Sequence, residues 1–191
     1  MSEFSSVLMG AILINNVMLL QLLGVSAFLK IARTPSASIG MAIATTIAVT
    51  LTSMVNHIID HWVLIPLQLS YLRTLTFVLV ISTLAQSATL FVEARRPPLY
   101  LALTGLMPFL ASNTLILAVA LQNSAADLSF IHSTLAGLAA GLGYALVLVL
   151  FAAVCERLVA ADVPRPFQGA AITLISAGLM SMAFMGLSGI V

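Results

Sequence analysis

The sequence predicts an all-α membrane protein of six transmembrane helices, arranged as two inverted three-helix repeats with the first and fourth spans interrupted. Composition is the first observation behind this: 61% of the 191 residues are hydrophobic, 7% are charged and the mean hydropathy is +1.17, whereas soluble domains carry roughly a quarter charged residues. The second is a set of six apolar runs, each near the roughly 20 residues that a helix needs to cross a bilayer, separated by short polar or Pro-bearing loops. The third is an echo, in which Asn16, Gly40 and Ala42 recur at one constant offset as Asn113, Gly137 and Ala139. With three spans in each half, the second half enters the membrane from the opposite side, the inverted-repeat plan of many transport proteins.

Taken in order, the runs cover residues 5–29, 37–59, 69–92, 99–121, 130–154 and 167–191. They fill a single integral membrane domain, 1–191, whose repeats are about 1–95 and 96–191, and leave no length for a soluble catalytic domain. In the first span, ILINNVMLLQLLGVS, the adjacent amides Asn15 and Asn16 and then Gly24 break the apolar run. Only Glu3 precedes it, with no basic segment, so a retained span is expected in place of a cleaved signal peptide. The fourth span is broken at Asn113 in PFLASNTLILAVAL. Functional groups concentrate on such interrupted spans, where irregular backbone faces protein or a cavity.

The loops fix an orientation. Lys30, Arg33, Arg95, Arg96, Arg157 and Arg165 lie in the first, third and fifth loops, whereas the opposite side has Arg73 with Glu3, Asp60 and Asp127. The positive-inside rule makes the odd loops cytoplasmic and both termini periplasmic. Trp62, Tyr71 and Tyr100 suit interfacial anchoring. No span carries an ionisable residue near its middle, so any polar route must use neutral groups, of which Asn15, Asn16, Gln21, Gln86 and Asn113 are placed deepest.

Several motifs have plainer readings. His57, Asp60 and His61 share a helical face at metal-ligand spacing, but they end the second span beside Trp62, where polar residues meet water. Gly137 and Gly141, followed by Gly143, form a small-residue stripe for close helix packing. Met180, Met182 and Met185 read as gap-fillers before soft metal ligands. The single cysteine, Cys155, excludes an intrachain disulfide and a cluster held by this chain alone. Asn15, Asn16 and Asn113 divide evenly between structural hydrogen bonding and function, because an amide in hydrocarbon is costly unless it is bonded.

The last segment, DVPRPFQGAAITLISAGLMSMAFMGLSG from Asp162, resembles the final span of the RnfA (RsxA) subunits of Rnf electron-transport complexes, and the plan is similar to that of the related NqrE subunits. Further matching blocks are INNVMLLQLLG from Ile14, IGMAIATT from Ile39, LIPLQLSYLRTLTFVLVI from Leu64 and VLFAAVCERLVAADVP from Val149. The resemblance implies an inner-membrane subunit, not catalytic alone, that pairs with a homologous subunit of opposite orientation (RnfE-like) and couples electron transfer to sodium or proton movement. It also implies a [2Fe-2S] cluster shared with that partner. Here the sequence departs from the pattern. Where the family has the cysteine of LGxCPF this chain reads LGVSAF, with Ser26, and where it has the cysteine of TTNC this chain reads ASNT, with Thr114. An alcohol is a hard donor, rarely deprotonated, and a poor replacement for thiolate, so no cluster is expected on this chain alone. The acidic residue of the family's third span is replaced as well, by Thr89 in QSAT. On this reading Asn15, Asn16, Asn113, Ser26 and Thr114 are polar midplane wall. The alternatives are a small inverted-repeat transporter or ion pathway without redox chemistry, and a purely structural subunit.

Overall fold

The computed structural model describes residues 35–95, 110 and 112–186. The first span, with Asn15, Asn16 and Ser26, lies outside the described residues, as do Tyr100, Arg96 and the loop around it. Every regular element among the described residues is helical. Three stretches are long and apolar enough to cross a membrane, Ala37–Leu64, Ser70–Arg95 and Phe130–Val159, and two shorter apolar helices, Thr114–Ala125 and Ala170–Met185, accompany them.

The first described helix, α1 (Pro35–Ile59), is amphipathic in the reverse sense of a soluble helix. Ile39, Ile43, Ile47, Leu51 and Ile58 lie exposed on one side, while Ser38, Thr45, Thr52, Ser53 and Asn56 are buried on the other with Met41, Ala42 and Val49. Spacings of three, four and seven residues put each set on its own face, an arrangement that suits a helix whose outer face meets hydrocarbon or another apolar chain. The helix continues through a wider π turn, Asp60–Leu64, in which Ile65 N–H bonds to the Asp60 carbonyl at 2.9 Å. Pro66 follows, the chain reverses with Gln68 at φ 55, and a single 3₁₀ turn, Ser70–Leu72, leads into α2 (Arg73–Arg95). Then come α3 (Thr114–Ala125), α4 (Phe130–Val159) and α5 (Ala170–Met185), the last entered through Gly169 at φ 80.

The principal contact is an antiparallel crossing of α1 and α4. A Cβ on Gly141 would lie 2.8 Å from Thr46 Cα, and one on Gly137 would lie 2.8 Å from Ser53 Cβ. The backbones therefore approach as closely as only glycine permits. Thr46 completes the crossing by donating to the carbonyls of Ala42 at 2.8 Å and Gly141 at 3.0 Å. The glycine stripe anticipated from the sequence thus serves a helix of this same chain. Around the crossing, Leu115, Ile116 and Val119 of α3, Ile81 of α2 and Ala177 of α5 join Tyr144, Val147, Leu148 and Phe151 of α4 in one core.

Candidate functional site

The buried face of α1 carries polar side chains along its whole length, and these collect into two groups. The first lies near the middle of α1 and α4. Leu110 is helical, the chain turns at Ser112, and α3 starts afresh at Thr114, so the fourth expected span contains a helix start at the asparagine that broke its sequence. Asn113 caps that start: its Oδ1 accepts from Leu115 N–H at 3.1 Å, satisfying one of the orphan donors of the first turn. Its Nδ2 is buried and unbonded, as are Thr45 Oγ1 and the Tyr144 hydroxyl. The Tyr144 hydroxyl faces the side chains of both Asn113 and Thr45, yet no pair among them has hydrogen-bonding geometry. Thr114 is exposed one residue beyond the cap.

The second group lies at the Asp60 end of α1, and it corrects the expectation that His57, Asp60 and His61 simply meet water. Asp60 is buried. Its Oδ1 pairs with Arg73 Nε at 2.9 Å, from the start of α2, and its Oδ2 accepts from the Ser124 hydroxyl at the end of α3. One carboxylate therefore ties three helices. The π turn begins at Asp60, and only His61 of the three remains exposed. The two imidazoles stack with centroids 4.6 Å apart, while His57 Nδ1 lies 3.4 Å from Ser133 Oγ. Asn123 Nδ2 donates to the Ser133 carbonyl at 3.1 Å and to Ser53 Oγ at 3.5 Å, joining α3, α4 and α1. Asn56 lies 2% exposed with both amide atoms unbonded. It lines a cavity of about 10 Å³ with Ser53, His57, Asp60, Asn123 and Ser133.

Among the described residues no three of His, Cys, Asp and Glu converge to hold a metal ion. Met180 packs against the core, whereas Met182 and Met185 are exposed, so the methionines do not form one ligand set. Cys155 is buried on α4. Thr89 donates to the Ala85 carbonyl of its own helix at 2.8 Å, and Gln86 is exposed on α2 rather than directed inward. Of the residues singled out from sequence, Asn113 and Thr114 sit side by side at a helix start. Thr45, Asn56, Asn123 and Tyr144 escaped that reading. The signal for two of them was present, because Ser38, Thr45, Thr52 and Asn56 recur at seven- and four-residue intervals that put them on one face.

A bundle of apolar helices with lipid-type residues outward and amides, hydroxyls and an ion pair inward defines an integral membrane protein with a polar interior. The chain belongs to the Rnf-Nqr family, whose model, described as "Rnf-Nqr subunit, membrane protein", matches residues 4–191. Similar proteins include subunits of the ion-translocating oxidoreductase complex from Pseudoalteromonas translucida, 46% identical over 191 residues, and from Pseudomonas aeruginosa, 47% identical over 192. The corresponding protein of Shigella flexneri is 46% identical over 191 residues. Each alignment covers 100% of this chain and 99% of the relative.

Proposed function

We propose that this chain is the RnfA-type component of an ion-translocating oxidoreductase complex, coupling electron transfer to ion movement across a bacterial inner membrane. The observation that carries this is end-to-end identity of 46–47% with proteins named as components of that complex. The apolar exterior and polar interior fit such a role. In this reading the single domain has six spans in two inverted repeats, with both termini periplasmic and Arg95 and Arg157 cytoplasmic, and it sits beside a homologous, oppositely oriented RnfE-like subunit. The thinly covered α2 is a surface that such a partner could cover.

Asn113, with Asn15 and Asn16, would line the polar midplane, and Ser26 and Thr114 would occupy the positions where the family resemblance implies ligands of a [2Fe-2S] cluster. The donor chemistry here does not fit that cluster: two alcohols stand in place of two thiolates, and the sole cysteine, Cys155, belongs to the far part of α4. The test is deletion of this chain from its host, followed by electron-transfer-driven ion uptake into inverted membrane vesicles. Uptake should disappear and return with the intact gene, and the chain should co-purify with redox subunits. Undiminished uptake would overturn the assignment. Iron analysis of the anaerobically purified complex, before and after Ser26→Ala, tests the cluster separately. No loss of iron on substitution is expected.

A further inference from the structure

We propose that the cavity at the Asp60 end of α1 binds one small monovalent cation, with Arg73 as a tethered competitor that occupies the carboxylate when the ion is absent. Four observations lead there. The cavity, about 10 Å³, has room for one water-sized particle. Beside the His57 and His61 imidazoles it offers neutral oxygens, the Asn56 side-chain carbonyl and the Ser53 and Ser124 hydroxyls, and hard oxygen donors suit hard cations. Asn56 has both amide atoms buried without a bond, a costly state unless something in the cavity engages the group. Of the two carboxylates lining it, Asp127 is exposed to solvent and Asp60 is buried, so the buried charge to be balanced is the single one of Asp60.

The ion pair itself is asymmetric. The Arg73 side chain is 27% exposed and that of Asp60 6%, so the guanidinium can swing into the aqueous boundary while the carboxylate stays buried. A buried carboxylate that loses its cationic partner, Arg73 among the described residues, is strongly destabilised, and a small ion entering the cavity from the same side restores the balance. Exchange of Arg73 for the ion keeps the pocket neutral in both states. The purpose of the site, a stopping point on the periplasmic side for the transported ion, rests on the reading of this chain as part of an ion-translocating complex. Ion binding itself can be measured apart from it.

The experiment follows thermal unfolding of the purified complex, and of the chain alone, in detergent at constant ionic strength while NaCl replaces choline chloride. Sodium should raise the midpoint saturably, and Asp60→Asn should weaken the apparent sodium affinity at least tenfold. Arg73→Gln should destabilise the sodium-free protein yet tighten sodium binding severalfold, because the competitor is gone. A merely structural ion pair would lose stability in both variants with no change in sodium response. Should Asp60→Asn fail to accumulate, Asn56→Leu, which fills the cavity with a side chain of similar size, decides: it should abolish the sodium response. Equal midpoints in sodium and choline, or a sodium response indifferent to Asn56→Leu and Arg73→Gln, overturns the site and leaves a cavity that holds only water. Loss of sodium binding with undiminished ion uptake overturns its place on the transport route. A chain that responds to sodium but does not associate with redox subunits keeps the site and overturns the complex.

Discussion

Helices α4 and α2 are both apolar enough to span a membrane, and their places in the fold are opposite. Half of the most apolar stretch of α4 is buried, against 17% in the stretch containing α2. α4 is also the more apolar of the two, but what sets its place is the small residues it presents and where the hydroxyls of each helix find partners. α4 presents Gly137 and Gly141 to α1 and a buried Tyr144 to Asn113 and Thr45. α2 has no glycine, and most of its hydroxyls bond back to carbonyls three or four residues earlier, Thr76 to Leu72 of the preceding turn, Ser82 to Val78, Thr83 to Leu79 and Ser87 to Leu84. Such back-bonding lets a polar side chain face hydrocarbon with no partner from another helix. In lipid, apolar surface gains nothing by meeting apolar surface, so packing and polar groups decide which helix is central.

The contrast can be broken most severely at the crossing. Gly141→Leu would drive a side chain into Thr46 backbone and force α1 from α4, at a cost of about 3 kcal/mol or more; thermal unfolding in detergent and yield of folded protein measure it. A smaller loss is expected from Leu148→Ala in the core of α4. Its cost should be about 2 kcal/mol, chiefly the cavity contribution, since an apolar solvent removes most of the transfer contribution. Tyr144→Phe should leave stability unchanged or raise it by up to about 1 kcal/mol, because it removes a buried hydroxyl that lacks a bond. A loss above that size would show that the hydroxyl has a partner in the native protein. Smallest of all is Leu79→Ala on the exposed side of α2, expected within about 0.5 kcal/mol of the parent. A cost near that of Leu148→Ala, found only in the assembled complex, would mark this face as an interface with another subunit.

Membrane residence, the second, third and fifth spans, and family membership were legible in the sequence, because hydropathy needs only local composition and the matching blocks run through most of the chain. The glycine stripe was legible as a packing surface but not as a contact with α1, and the break at Asn113 was legible because an amide in an apolar run is rare for a physical reason. The Asp60 pocket was not. Its acid comes from the end of α1, its base from the start of α2 and its hydroxyl from the end of α3, and at an expected membrane boundary each looks like an ordinary solvated residue. Asn56 and Tyr144 were hidden in the same way, since burial of a side chain depends on which face another helix covers. The sequence alone determined that the chain lives in lipid and which residue types its spans offer. Only the tertiary structure decided which polar groups lie inside, because in a uniformly apolar solvent that choice rests on close approach at Gly137 and Gly141 and on pairing between distant helices, neither of which local composition encodes.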